Sequence, residues 1–261
     1  MIPRIIHYCW LSDDPIPEEI QTYINGWREL MPDYVIKKWD KSQIDFNKHP
    51  FVRAAFNDKK YAFAADYIRV YALFTEGGVY LDSDVKVLQS FDKFLSFDYF
   101  TSYENHWSAN QYKLLFGRYI DKYGNRLEGI EKILNVGLQA AVIASIPHHP
   151  FVSALWDYYR NLAWNGWEKV TAPTIHSRIC EQFGLKYLDK LQLLKNNMVI
   201  FPSDVFCTDG CNQETSNTHA VHVCAGSWID NEHRLLKRLF KGNRFVMSAY
   251  LKYKIITRRQ K

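Results

Sequence analysis

Two aspartates one residue apart follow a short apolar run. Asp82 and Asp84 end the segment 77–84, Gly-Gly-Val-Tyr-Leu-Asp-Ser-Asp. A buried strand over 79–81 would place both carboxylates at its carboxyl end, where open α/β sheets bind ligands. Two oxygen ligands there suit Mg²⁺ or Mn²⁺, which as a Lewis acid stabilises a departing diphosphate. Asp-Ser-Asp is also a common solvated turn, but the apolar approach and the glycines that end the preceding helix favour a metal site.

A charged pair lies just upstream on the clearest predicted helix, 61–76. Asp66 and Arg69 are three residues apart and therefore share one helix face. An arginine at this place can donate two hydrogen bonds to a phosphate or to sugar hydroxyls. The alternative is an ordinary surface salt bridge.

Three motifs in order resemble glycosyltransferase family 32, the Asp-X-Asp sugar transferases that include many bacterial capsule and lipopolysaccharide enzymes. They are Ile-Pro-Arg-Ile-Ile-His-Tyr-Cys-Trp at 2–10, Ala-Asp-Tyr-Ile-Arg at 65–69 and the segment 77–84. The sequence is also distantly similar to the glucosyltransferase domain of the large clostridial toxins. The resemblance is dense over 2–95 and returns at 222–228, His-Val-Cys-Ala-Gly-Ser-Trp.

The resemblance implies a role for each matching position. Asp82, Asp84 and His222 would hold Mn²⁺ or Mg²⁺, and imidazole beside carboxylates suits Mn²⁺. Asp66 and Arg69 would act in catalysis with the two aspartates of the motif. The predicted donor-binding residues are His7, Tyr8, Trp10, Ala64, Asp66, Arg69, Gly78, Tyr80, Asp82, Asn135, Ser227 and Trp228.

The elements that must position these residues follow from hydrophobic periodicity. A strand at 5–10, a helix at 17–31 and a strand at 34–39 predict a parallel βαβ start. Later apolar runs predict strands at 97–103, 138–146, 198–201 and 220–223, and helices at 151–163 and 174–183. We therefore predict an α/β, GT-A-like fold: a Rossmann-type nucleotide-binding half with a mostly parallel sheet, continuous with an acceptor half and ending in basic helices.

Charge is distributed unevenly along the chain. After Glu232 there are ten lysines and arginines and no acidic residue, whereas residues 1–232 hold 23 basic residues against 28 acidic ones. We predict a catalytic domain at 1–232 and a basic amphipathic helical segment at 233–261. That segment would bind an anionic membrane surface or, alternatively, would pack on the domain. No nucleic-acid-binding module is recognisable, so nucleic acid is not an expected partner.

Composition indicates where the protein works. The amino terminus does not resemble a signal peptide, no window is apolar enough to span a bilayer, and five cysteines are an odd number. These features predict a cytoplasmic protein, peripheral on the inner face of the cytoplasmic membrane. A structural zinc site built from Cys207, Cys211, His219, His222 and Cys224 is a competing interpretation, although their spacing matches no strong zinc pattern.

Together these features predict a metal-dependent hexosyltransferase. The resemblance implies retention of anomeric configuration, with a UDP-hexose (UDP-Gal, UDP-Glc or UDP-GalNAc) as donor and GDP-mannose as the alternative. The expected acceptor is a glycan or an undecaprenyl-type lipid-linked saccharide in surface polysaccharide biosynthesis. Two other classes stay open: a nucleotide-sugar hydrolase using the same site, and a non-catalytic binding protein.

Overall fold

A central sheet organises the computed structural model, which describes residues 1–107, 109–133, 135–164, 171–208 and 214–224. Residues 1–224 form one compact unit. The strands are β1 (Ile5–Cys9), β2 (Val35–Trp39), β3 (Gly78–Leu81), β4 (Val85–Val87), β5 (Tyr99–Asn105), β6 (Val136–Leu138), β7 (Val142–Ser145), β8 (Gln192–Leu194), β9 (Met198–Phe201), β10 (Phe206–Thr208) and β11 (Ala220–His222).

The sheet has the order β2-β1-β3-β7-β5-β9-β8, and β6 pairs with β5 outside this path. Strands β2, β1, β3, β5 and β9 run in one direction, and β7 and β8 run in the other. The predicted α/β, GT-A-like class with a mostly parallel sheet is confirmed. A smaller sheet, β10-β11-β4, adjoins the end of β3 because β4 follows β3 after a three-residue turn.

Helices cover the faces of the sheet, and the predicted parallel βαβ start is confirmed by the pairing of β1 with β2. The first helix begins after Pro17, carries two glutamates in its first turn and an arginine in its last, and buries Ile20, Ile24 and Trp27. That charge distribution complements the helix dipole. The helices are α1 (Glu18–Leu30), α2 (Pro50–Asn57), α3 (Tyr61–Thr75), α4 (Ala109–Lys113), α5 (Pro150–Arg160) and α6 (Ala172–Cys180).

The core lies on both faces of the sheet, as the alternation of side chains along a strand requires. Tyr80 of β3 belongs to the cluster beneath α2, α3, α5 and α6. Its neighbours Val79 and Leu81 point the other way, into a cluster that includes Trp27 of α1. Asp82 therefore leaves β3 on the side of α3, where Tyr80 also points.

Gly77 ends α3 and lets the chain turn directly into β3. Its φ of +66° is in the left-handed region, and a Cβ there would lie 2.6 Å from Cδ of Pro147. The predicted glycine stop of this helix is confirmed. The short turn fixes where β3 begins and hence where Asp82 leaves the sheet.

Some elements differ from the sequence prediction. The single strand predicted at 138–146 is wrong: the structure has β6 and β7, separated by a bend at residues 139–141. Helices α2 and α4 and strands β8 and β10 were not predicted. The predicted basic helices, the segment 233–261 and the boundary at residue 232 lie outside the described residues, so they stay predictions. Within the described part of the chain, no helix is long and apolar enough to cross a membrane.

Candidate active site

The end of β3 presents the two aspartates of the motif. The backbone N–H of Asp82 donates to the carbonyl of Ala141 at 2.9 Å, which extends the pairing of β3 with β7 by one residue. The chain then turns, because the N–H of Val85 donates to the carbonyl of Asp82 at 3.0 Å. This tight turn places Asp84 beside Asp82 at the carboxyl end of a fully buried strand.

A second strand brings His222 to the same place. Strand β11 pairs antiparallel with β4, and in that register His222 lies opposite Val85. The N–H of Val223 also donates to the carbonyl of Asp84 at 3.1 Å. The imidazole is thereby held against the aspartates although it lies far from them in sequence.

The three side chains form a set that could hold a divalent cation. The Nε2 atom of His222 lies 3.4 Å from Oδ1 of Asp84 and 4.0 Å from Oδ2 of Asp82. One ligand atom from each residue can be chosen so that all three lie within 4.8 Å of one another. Metal–ligand bonds near 2.0–2.2 Å fit within such a triangle. All three side chains keep 15–24% of their surface exposed, so the set can be reached from solvent.

Arg69 lies at the centre of a buried charge network behind this set. Its Nη2 atom lies 2.9 Å from Oδ1 of Asp66 and 3.0 Å from Oδ1 of Asp82, and its Nη1 atom donates to the carbonyl of Ala140. The guanidinium carbon stands 4.7 Å from the centre of the Tyr80 ring. The Asp66–Arg69 pair is therefore not the surface salt bridge of the alternative interpretation.

The two carboxylate oxygens of Asp82 have different partners. Oδ1 accepts hydrogen bonds from Arg69 and from the hydroxyl of Tyr80, at 3.0 and 3.1 Å. Oδ2 faces His222. One oxygen thus fixes the carboxylate in position, and the other stays available to a ligand.

Burial and charge set the ionisation of the surrounding groups. Burial raises the pKa of Asp66 to about 7, although the nearby Arg69 opposes this and Asp82 adds to it. Burial alone would lower the pKa of His222, but hydrogen bonds with Asp84 and Cys224 outweigh it and the pKa lies well above its ordinary value. Without a cation, the imidazole is thus held as the positive partner of the carboxylates.

Two supporting contacts had no signal in the sequence. The indole Nε1 of Trp27 donates to the carbonyl of Val85 at 2.8 Å, which fixes the turn that follows Asp84. The carbonyl of Ala140 holds Arg69. Backbone acceptors carry no residue-type signature, and Trp27 reads in the sequence only as a core position of a helix.

Besides Arg69, five predicted donor-binding residues lie inside the protein. His7 is fully buried: its Nε2 bonds to the carbonyl of Gly77 at 2.8 Å, and its Nδ1 accepts from Trp39 Nε1 at 3.1 Å. Burial lowers the pKa of His7, so the ring is neutral. The others with buried side chains or backbone are Tyr8, Ala64, Gly78 and Tyr80. In this conformation they support the site from within, and direct contact with a donor stays a prediction.

Gly78 shows why such support is needed. Its φ is +99°, and a Cβ there would lie 2.6 Å from the carbonyl oxygen of Ile5. The close approach that this glycine permits is to the backbone of β1, not to a donor. Gly78 therefore sets the distance between β3 and its parallel neighbour.

Two other predicted residues lie at the ends of strands. Trp10 follows β1, is half-buried, and donates its indole N–H to the carbonyl of Asp14 at 2.8 Å. Asn135 is exposed, has a φ of +66°, and its carbonyl accepts from the N–H of His106 at the far end of β5. Trp10 follows β1, and Asn135 lies beside the carboxyl end of β5. Both strands run in the same direction as β3, so both residues lie at the edge of the sheet where Asp82 follows β3. Ser227 and Trp228 lie outside the described residues.

The cysteines and histidines among the described residues do not form the cluster that the competing zinc interpretation requires. His219 bonds through Nδ1 to the carbonyl of Asn217, and its ring lies tilted against that of Phe94, with 4.8 Å between the ring centres. Cys224 Sγ lies 3.4 Å from Nδ1 of His222. Cys211 lies outside the described part, within which the set of Asp82, Asp84 and His222 is the one possible metal group found.

The comparison with known families decides the class. Residues 17–101 match the family model described as the glycosyltransferase sugar-binding region containing the DXD motif. Over these residues the chain is similar to the DXD glycosyltransferases. Of the three site residues, the matched region contains Asp82 and Asp84, whereas His222 lies beyond it.

Relatives of this glycosyltransferase carry consistent names. It is 24% identical over 260 residues to a protein of Acanthamoeba polyphaga mimivirus named an uncharacterized glycosyltransferase, covering 95% of this chain and 91% of that one. It is 28% identical over 155 residues to the mannosyl phosphorylinositol ceramide synthase of Saccharomyces cerevisiae, covering 58% of this chain but 33% of that protein. The solved PaToxG glycosyltransferase superposes with a TM-score of 0.49 at 15% identity over 69% of each chain.

Proposed function

We propose that this enzyme transfers a hexose from a nucleotide diphosphate sugar to a glycan or lipid-linked acceptor and requires a divalent cation. The observation that carries the proposal is the convergence of Asp82, Asp84 and His222. Two carboxylates and one imidazole form a mixed oxygen and nitrogen set, which suits Mn²⁺, with Mg²⁺ as the alternative. A bound cation would supply Lewis-acid stabilisation of the departing diphosphate.

The chain's own residues position that chemistry. Asp84, in the turn before β4, and His222, on β11, would contribute ligand atoms, and Asp82 would contribute Oδ2 while Arg69 and Tyr80 hold its Oδ1. The guanidinium of Arg69 keeps its charge beside the proposed diphosphate-binding region because it contacts two partly buried carboxylates. Asp66 contacts the same Nη2 atom of Arg69 as Asp82 does and is a positioning residue in this proposal.

The proposed reaction retains anomeric configuration. The acceptor oxygen bonds to the anomeric carbon as the bond from that carbon to the diphosphate breaks, and the acceptor proton passes to the departing phosphate oxygen. A double displacement would need a separate carboxylate nucleophile. The partly buried carboxylate of Asp66 is held by Arg69 at 2.9 Å. An α-linked donor should therefore give an α-linked first product, which proton NMR can establish from the anomeric coupling.

The donor is a UDP-hexose in this proposal, and a mannosyl donor such as GDP-mannose is the second candidate. The yeast relative's name, mannosyl phosphorylinositol ceramide synthase, favours the second candidate and also a lipid acceptor. Because the alignment spans a third of that relative, its activity is not transferred as a whole. We propose an undecaprenyl-type lipid-linked acceptor in surface polysaccharide biosynthesis, on the inner face of the cytoplasmic membrane. The basic segment 233–261 would bind that membrane.

Donor turnover across a Mn²⁺ titration tests the proposal. UDP-galactose, UDP-glucose, UDP-N-acetylgalactosamine and GDP-mannose should be compared with and without lipid-linked and soluble glycan acceptors. We expect one donor to be consumed faster when an acceptor is present, and all activity to stop in EDTA. Donor breakdown that no acceptor accelerates would instead identify a nucleotide-sugar hydrolase, and full activity in EDTA would refute the metal requirement.

A further inference from the structure

A surface loop, residues 113–123, exposes three large apolar side chains. Leu114 is 61% exposed, Phe116 40% and Tyr123 63%. They stand within eleven residues of one another in a protein that otherwise buries most of its aromatic residues. Exposed apolar residues grouped in this way mark an interaction surface more often than scattered ones do.

Cations alternate with these apolar residues. Lys113, Arg118 and Lys122 are exposed, and the Lys122 ammonium lies 5.0 Å from the centre of the Tyr123 ring. The loop has one acid, Asp121, whose carboxylate accepts from the backbone N–H of Tyr123 and from both the backbone and the side-chain amide of Asn125, at 2.7–2.9 Å. The loop therefore presents positive charge and apolar surface together.

The loop is held in shape by its own core and by contacts with the rest of the protein. Leu115 and Ile120 are fully buried beneath it. The hydroxyl of Tyr112 donates to the carbonyl of Tyr187 at 3.1 Å and accepts from the N–H of Asp189 at 2.9 Å. The exposed side chains are thus displayed on a built scaffold.

The position of the loop relates it to the site. It follows β5, which runs in the same direction as β3, so both strands end at the same edge of the sheet. Asp82 follows β3 at that edge. Leu191 and Leu193, beside and on the edge strand β8, are also exposed, at 54% and 72%.

We propose that loop 113–123 docks the enzyme on an anionic lipid bilayer and presents the sheet edge that carries the site to that surface. Leu114, Phe116 and Tyr123 would enter the headgroup region, while Lys113, Arg118 and Lys122 would contact lipid phosphates. Protein segments that bind the surface of an anionic bilayer typically combine basic and aromatic residues. Docking on the bilayer does not require the sugar donor. Only its purpose, which is to bring the site to a lipid-linked acceptor, rests on the proposed function.

Vesicle sedimentation with the full-length protein tests the loop directly. The variant Leu114→Ser, Phe116→Ser, Tyr123→Ser should bind vesicles of phosphatidylglycerol and phosphatidylcholine about tenfold more weakly than wild type. The matched control is Leu30→Ser, Val35→Ser, which removes exposed apolar residues, 39% and 65% exposed, from α1 and the opposite edge strand β2. The segment 233–261 is present in every protein, so the difference isolates the loop.

Hydrogen exchange measured with and without vesicles provides a second readout. Amides of 113–123 should exchange more slowly with anionic vesicles and should be unchanged with pure phosphatidylcholine. Unchanged exchange together with unchanged sedimentation would overturn the proposal and leave a protein partner as the occupant. Donor turnover with a soluble acceptor should be the same in the triple variant and in wild type; if no donor is turned over by either, the proposed function fails while the docking result stands.

Discussion

The Nε2 atom of His222 lies 3.4 Å from Oδ1 of Asp84, across the antiparallel pair of β4 and β11. This contact joins the amino-terminal motif to a residue outside the region that the family model matches. Substitution of either residue can therefore test the proposed metal site.

Replacement of Asp84 by Asn keeps the shape of the side chain and removes the charge that would hold the cation. Activity should fall at least about a hundredfold, because metal stabilisation of the leaving group supplies several kcal/mol. Replacement of His222 by Ala should weaken Mn²⁺ affinity about 10- to 100-fold, since loss of even a residue that hydrogen-bonds to a metal ligand has an effect of this size. Excess Mn²⁺ should then partly restore turnover. Asp33→Asn, on an exposed aspartate, is the control. An Asp84→Asn enzyme with full activity would refute the metal site.

Replacement of Gly78 by Ala should destabilise the fold by about 2 kcal/mol or more. The new Cβ would meet the Ile5 carbonyl oxygen at 2.6 Å, and a φ of +99° is unfavourable for alanine. The matched control is Gly26→Ala in α1, where nothing lies within 4 Å of the added carbon. That change should increase stability by about 0.5–1 kcal/mol. Urea denaturation measures both, and equal effects of the two substitutions would contradict the close approach of β3 to β1.

Replacement of Arg69 by Met leaves two partly buried carboxylates without their shared cation. We expect a loss of about 3–5 kcal/mol in the free energy of unfolding, the range for breaking a buried ion pair from one side. Adding Asp66→Asn to the same variant should recover part of that loss, and a double-mutant cycle gives the coupling. The control is Arg4→Met, whose pair with Asp92 is about half exposed and should change stability by less than about 1 kcal/mol. An additive cycle would show that Asp66 and Arg69 act independently.

His176 should make the fold sensitive to acid. It is fully buried, neither ring nitrogen has a hydrogen-bond partner among the residues that the structure describes, and burial, helped by the charge of Arg69, lowers its pKa to about 3. The folded protein therefore keeps a neutral ring where the unfolded chain takes up a proton below about pH 6.5. The stability from this group is present above pH 6.5 and is lost as the pH falls towards 3.

The test compares urea denaturation of wild type and His176→Leu at pH 7.5 and 5.5. His176 alone should account for about 1 kcal/mol of the stability that wild type loses between these values, so the variant should lose less by that amount. At pH 7.5 the variant should be at least as stable as wild type, because it no longer buries unpaired polar atoms. Identical losses in both proteins would show that His176 is not held neutral by the fold.

The sequence predicted the parts of the site that are local. The glycine stop of α3, the strand that leads into Asp82 and the spacing of the two aspartates all depend on neighbours within a few residues. His222 was placed there only by the family resemblance, because its approach depends on the pairing of β11 with β4. No pattern in either strand specifies that pairing.

The bend between β6 and β7 shows why the rest could not be predicted. Residues 138–146 read as one apolar run, yet the carbonyls of Ala140 and Ala141 hold Arg69 and the N–H of Asp82. A continuous strand would direct the carbonyl of Ala140 to a neighbouring strand instead of to Arg69. Likewise His7 reads as a polar residue near a site, whereas its contacts with Gly77 and Trp39 place it in the interior.

The pairing of β11 with β4 determines when the three-residue set can form during synthesis and folding. Asp82 and Asp84 are synthesised well before His222, so the three-residue set can form only once the chain between them has been made and β11 has paired with β4. A cation bound there would cross-link two distant stretches and restrict the unfolded chain, as closure of a long loop does. A copy in which β11 has not paired with β4 would offer that cation two ligands instead of three.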